Sequence, residues 1–200
     1  MTITTLQHHP PMDLWNSRLH ELAVLDEVLT RPLIRLDRSG GEPRSPGCYL
    51  LFIKAPAGAE GQIARNLYSP LHRGGFPVYV GCAVDLFTRL SDHRRRTSVV
   101  PSLHGGRDLW VCSVGLNRYE DAHYAESLLI SLLRPVWNEK WASGFGSKDQ
   151  GPSRRTQAPT AWDLLHPGRQ RGSGDTRMDV EELVNRTKAH VRSTQVPELW

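Results

Sequence analysis

Two apolar runs constrain this chain more than any other feature. Cys48-Tyr49-Leu50-Leu51-Phe52-Ile53 has no polar break and follows Pro46-Gly47. A strand with one wet face alternates apolar and polar residues, so an unbroken apolar run predicts a strand covered on both faces. Pro77-Val78-Tyr79-Val80-Gly81-Cys82 reads as a second strand and Leu109-Trp110-Val111-Cys112-Ser113-Val114 as a third.

Between and around these strands the pattern turns helical. Asp13 to Thr30 predicts a first helix, with Leu14, Leu19, Leu22, Leu25 and Val28 as an approximate stripe and Arg31-Pro32 as its end. Ala83 to Arg96 predicts a second, with Leu86, Phe87 and Leu90 on one side. Glu120 to Leu133 is the clearest helix; Ala122, Ala125, Leu129, Leu132 and Leu133 mark its buried side, and Arg134-Pro135 terminates it. Met178 to Ser193 predicts a last, charged helix. Residues 33–47 read as loop, and residues 55–76 as a long insertion without a period. Residues 142–176 are rich in Gly, Pro and Ser, which predicts ordered loops rather than core.

The chain has 200 residues, 38% of them hydrophobic, which fits one domain with decorations. No run approaches the ~20 apolar residues a membrane helix needs. Met1 to Pro10 lacks a basic start and an apolar stretch, so no signal peptide is read and a cytoplasmic (prokaryotic) protein without membrane contact is the expectation. Cys48, Cys82 and Cys112 are odd in number and lack CxxC spacing, which predicts reduced, mostly buried thiols rather than a zinc site. The cations are 21 Arg and 4 Lys, with clusters at Arg94-Arg95-Arg96, Arg154-Arg155 and Arg169/Arg171. Clustered Arg suits a polyanionic partner, and a plain solvated surface or an Arg-rich coding bias explains it equally well.

Single positions carry chemistry. Glu126 lies on or beside the apolar stripe of its helix, where a carboxylate needs a metal, an Arg or several donors; a buried ion pair is the competing reading. Arg89 and His93 are four apart and share a helix face, as a phosphate site or as solvated surface. Tyr49 and Tyr79 lie near the starts of two strand runs, where tyrosine is commonly core. Asn138 follows a helix end, where it is commonly a cap.

The order of these residues along the chain resembles the GIY-YIG nuclease superfamily. Gly47-Cys48-Tyr49 and Tyr79-Val80-Gly81 stand where the two name-giving tripeptides fall, followed by Arg89 with His93, Glu126 and Asn138. A second resemblance, to the type II restriction endonuclease branch, rests on Gly144-Phe145-Gly146, Asp149, Gly151, Arg154 and Trp162-Asp163-Leu164-Leu165-His166-Pro167-Gly168-Arg169. Cys48 departs from the usual Ile, and Cys82 stands where many relatives place Lys. The resemblance implies an α+β fold: a GIY-YIG core with a small three-stranded antiparallel sheet flanked by helices. It implies an N-terminal helical extension over 1–45, the catalytic core over 46–140, and DNA-recognition loops and a helix over 141–200, packed as one compact domain.

The activity so implied is hydrolysis of double-stranded DNA by a type II restriction enzyme. Glu126 would ligate Mg²⁺ (or Mn²⁺), and Arg89 would hold a phosphate oxygen. Tyr49 would orient or deprotonate the water, a hydrogen-bonded Tyr79–His93 pair would accept or relay the proton, with either Tyr as the base, and Asn138 would fix the geometry. Arg94, Arg95, Lys148, Arg154, Arg155, His166 and Arg169 are the expected DNA contacts. Relatives of that branch cut the palindrome CCGCGG, which implies a homodimer and a cognate DNA methyltransferase as functional partner. The alternatives are a nuclease of the same fold in repair or mobile-element work, and a non-catalytic DNA-binding module.

Overall fold

The computed structural model describes residues 18–54, 67–68, 75–146, 157–169 and 174–194. The expected start of the first helix and nearly all of the 55–76 insertion lie outside them. Helix α1 spans Arg18–Leu29. A two-residue strand β1, Ile34–Arg35, precedes β2, Gly47–Ile53, and β3, Phe76–Ala83. Helix α2, Leu86–Thr97, leads to β4, Leu109–Gly115, and to α3, Tyr119–Leu133. A short helix α4, Ala161–Leu165, and α5, Val180–Ser193, follow.

The strands form one antiparallel sheet in the order β1-β4-β2-β3. Four strands replace the expected three, because Ile34 and Arg35 pair with Val111 and Trp110. A two-residue strand leaves no alternation to read. Every residue of β2 is buried, as its unbroken apolar run requires. Side chains alternate between faces, and each face has its own core. Tyr49, Leu51 and Ile53 face α2, Trp137 and the C-terminal segment. Cys48, Leu50 and Phe52 face α1 and α3. The chain is thus an α+β fold with helices on both faces of the sheet.

Several local expectations are corrected. Ala83 belongs to β3, and α2 begins at Leu86 because Asp85 caps it, its carboxylate accepting from Thr88 N at 2.7 Å. Such a cap is worth about 1 kcal/mol. On α3, Leu132 is exposed and Leu128 is buried in its place. The largest correction concerns residues 142–176. Phe145, Trp162 and Leu165 are buried in the same cluster as Tyr49 and Leu51, and Trp162 packs edge-on against Trp137 at 5.4 Å. Few aliphatics line this stretch, but large aromatics give it as much core as a strand. Thr160 and Asp163 close α4 with reciprocal side-chain-to-backbone bonds, a capping box.

Candidate active site

The site forms where both faces of the sheet reach the outer edge of β3. Tyr49 and Tyr79 lie on one face. Their register, Tyr49 opposite Gly81 and Leu51 opposite Tyr79, makes them diagonal neighbours with ring centroids 6.1 Å apart. Gly81 has no room for a side chain: a Cβ there would sit 2.5 Å from the Tyr49 hydroxyl and 2.8 Å from the Tyr79 ring.

Helix α2 covers this face. Leu86, Leu90, His93 and Thr97 are buried along one stripe, with Arg89 one turn before His93. Arg89 Nε donates to the Tyr49 oxygen at 3.2 Å, and Arg89 Nη2 donates to the Gly146 carbonyl at 2.9 Å. The charge of Arg89 also acts on the Tyr79 phenol. His93 Nε2 lies 2.7 Å from the Tyr49 oxygen. Arg89 is always a donor, so the Tyr49 oxygen accepts from it; which of Tyr49 and His93 donates to the other is set by the imidazole tautomer. His93 Nδ1 has no hydrogen-bond partner among the described residues, and its ring stacks on Phe145 at 4.6 Å.

Glu126 comes from the other face. Its Oε1 accepts from the backbone N–H of Cys82 at 3.1 Å and its Oε2 from the Cys82 thiol at 3.0 Å. Asn138 grips the same edge two residues earlier: Val80 N donates to its Oδ1 at 2.8 Å and its Nδ2 donates to Val80 O at 2.9 Å. An edge strand turns every second residue's backbone groups outward, so residues 80 and 82 present theirs to Asn138 and Glu126. Glu126 is therefore half-buried at a strand edge rather than in the core.

Electrostatics follow from this layout. Burial and then neighbouring Tyr79 push the Tyr49 phenol well above its usual value, against the pull of Arg89. Burial raises Tyr79, again opposed by Arg89. The charge of Glu126 acts on both phenols. Burial, followed by Arg89, Arg96 and Arg169, holds His93 well below the ordinary imidazole range. Burial and Glu126 push the Cys82 thiol up to about 11, so it stays protonated and donates. At neutral pH the arrangement is a phenol hydrogen-bonded to a neutral imidazole beside a fixed cation.

The candidate residues thus divide. Tyr49, Tyr79, Arg89 and His93 are in contact, and Glu126 and Asn138 share the β3 edge next to them. The expected Tyr79–His93 hydrogen bond is corrected: His93 bonds Tyr49, while its ring meets Tyr79 edge-on at 6.0 Å. Three expected DNA contacts are held internally instead. His166 is 1% exposed, with Nε2 2.6 Å from the Tyr68 hydroxyl and Nδ1 2.9 Å from Ser102 Oγ. Arg169 is buried in an ion pair with Asp163 at 2.7 Å. Arg94 is drawn to Ser39, Ser91 and Glu42. Arg95 is exposed. Lys148, Arg154 and Arg155 lie outside the described residues. Gly146 was read from the sequence only as part of a motif, and Tyr119, whose hydroxyl is 3.6 Å from the Cys82 sulfur, was missed. Tyr119 is seven residues before Glu126, the helical spacing that could have flagged it.

The donor set bears on metal binding. Each Glu126 oxygen accepts one described hydrogen bond and keeps a lone pair. No group of three or more His, Cys, Asp or Glu that could enclose an ion occurs among the described residues. One carboxylate completed by water and a phosphate oxygen suits Mg²⁺, which is seldom held in an all-protein cage.

Residues 83–191 match the family model described as the Eco29kI GIY-YIG domain. That is more than half of the chain, and the chain belongs to this family. It carries a GIY-YIG nuclease domain, and its antiparallel sheet flanked by helices is that fold. Among solved structures, it is similar to the GIY-YIG N-terminal endonuclease domain of UvrC from Thermotoga maritima, whose crystal structure holds magnesium as its catalytic divalent cation. The two are 18% identical over 58% of this chain and 97% of that one, with a TM-score of 0.33. No curated protein matches the chain at a significant level. No described helix is long and apolar enough to cross a membrane.

Proposed function

We propose that this protein is a type II restriction endonuclease that hydrolyses double-stranded DNA at a GC-rich palindrome such as CCGCGG, with Mg²⁺ or Mn²⁺ bound through Glu126. The observation that carries this reading is the convergence at the β3 edge of one carboxylate, one guanidinium and a phenol–imidazole pair. A bound divalent cation supplies polarisation of the scissile phosphate and support for the leaving oxygen.

The chain's own residues do the rest. Arg89, already fixed by Tyr49 and Gly146, binds a non-bridging phosphate oxygen through its remaining Nη donors. Tyr49 takes the proton of the attacking water as its own proton passes to His93 Nε2. Arg89 beside the Tyr49 oxygen stabilises the charge that develops there. Tyr79 borders Tyr49 on the partly exposed side. Asn138 and the Cys82 donors hold the β3 edge and the Glu126 carboxylate in place. Arg95, Lys148, Arg154 and Arg155 remain the proposed DNA contacts. One such site cuts one strand, so cutting a palindrome calls for a homodimer. A cognate methyltransferase would protect host DNA.

The test is digestion of a sequenced plasmid with and without Mg²⁺, followed by mapping of the ends. Discrete, cation-dependent fragments with one common end sequence support the proposal. A cation-dependent smear favours the repair or mobile-element alternative. Binding without cutting favours the non-catalytic module.

A further inference from the structure

The short segment Gly144-Phe145-Gly146 meets the site through its last two residues. Gly146 O accepts from Arg89 Nη2 at 2.9 Å. The Phe145 ring stacks on His93 at 4.6 Å and meets Tyr79 edge-on at 4.9 Å. The other two carbonyls point away from the site to one side chain: Arg169 Nη1 donates to Phe145 O and Nη2 to Gly144 O, both at 3.2 Å. Arg169 is itself fixed by Asp163 Oδ1 at 2.7 and 3.0 Å and lies over the Trp162 ring at 4.0 Å.

Both glycines are required by this fit. Gly144 has φ +131°, and a Cβ there would overlap Thr160, the cap of α4. A Cβ on Gly146 would overlap the Tyr79 hydroxyl and come within 3.4 Å of Arg89 Nη2.

We propose that Gly144–Gly146, pinned by Arg169, is a latch that positions Arg89 for phosphate binding, with Gly146 and Arg169 as positioning residues. A guanidinium hydrogen-bonded to Tyr49 alone can rotate about its long stem. The Gly146 carbonyl supplies the acceptor that fixes its plane. Arg169 explains why that carbonyl does not move, since one rigid fork holds two consecutive carbonyls and a carboxylate together. The catalytic consequence rests on the nuclease reading; the latch itself rests on the geometry.

The experiment combines kinetics with spectroscopy on the full chain. G146A is expected to lower kcat about 100-fold, the cost of an ångström-scale misplacement. Its affinity for uncut duplex without divalent cation should fall far less than kcat, so the loss is chiefly one of chemistry rather than binding. R169K, acting from the other end of the latch, should show the same split, because an ammonium cannot span three acceptors. In an R89K background R169K should cost nothing further, since both changes act on one group and neither adds a side chain against Tyr79. Additive losses, or a wild-type kcat in G146A, overturn the proposal. Independently of cleavage, the Arg89 Nε–H resonance, assigned by its absence in R89K, should be slowly exchanging in wild type and broadened in G146A. An unchanged resonance overturns the latch whether or not DNA is cut. A wild-type chain that cuts no DNA with either cation overturns the nuclease reading alone.

Discussion

Tyr49 and His93 are a pair, and neither is useful to the other in a different protonation state. The phenol is held above its usual range and the imidazole below it, in each case chiefly by burial. Each group therefore waits neutral, 2.7 Å from its partner. A positioned base of this kind contributes about 10²–10⁴-fold to rate. Y49F and H93Q should each lower kcat by roughly that amount, and the double variant should be no slower than the worse single one. Independent losses that multiply would show that the two residues do not share one proton. The pairing was not legible in the sequence. The spacing of Arg89 and His93 puts both on one face of α2. Which tyrosine that face meets depends on the register of β2 against β3, and no local pattern encodes it.

At the scale of the element, β3 is an edge strand whose outward backbone groups are closed by side chains. Asn138 takes both groups of Val80 and Glu126 takes the N–H of Cys82. N138A removes two bonds from the strand that carries Tyr79, which should cost about 1–3 kcal/mol in urea unfolding and lower kcat as well. An unchanged midpoint would mean that solvent replaces the amide at no cost. Strands β2, β3 and β4 were legible from their apolar runs, β1 was too short to read, and α3 was legible from its period. The first turn of α2 was misjudged for want of one cap, Asp85. The segment holding α4 was misread because Phe145, Trp162 and Leu165 fill core with few aliphatics. Its Thr160-x-x-Asp163 box was the signal available in the sequence.

Across the whole molecule, a buried polar chain ties distant segments together. Trp137 Nε1 donates to the Tyr68 hydroxyl at 2.7 Å, the hydroxyl bonds His166 Nε2, and His166 Nδ1 bonds Ser102. Burial, then Arg169, lowers His166 from 6.5 to about 3. The sign follows directly. Below pH ~6.5 the unfolded chain binds a proton that the folded chain refuses, so stability is full above that pH and falls as pH drops toward 3. H166Q should flatten this part of the stability profile in chemical denaturation, and a slope equal to that of wild type would assign the acid sensitivity elsewhere. The Arg169–Asp163 pair is a second such tie. R169A leaves a buried carboxylate without its cation and should cost about 3–5 kcal/mol, read from the same unfolding curves. Both residues were expected on the DNA surface, since composition cannot distinguish a cation that reads a groove from one that holds a core.

The account turns on Glu126 at the meeting point of the two faces. The most direct test is E126Q against wild type on supercoiled plasmid in Mg²⁺, with duplex affinity measured in parallel on both proteins. Loss of cutting with binding and fold intact is the predicted result. An E126Q protein that still cuts at the wild-type rate would contradict it.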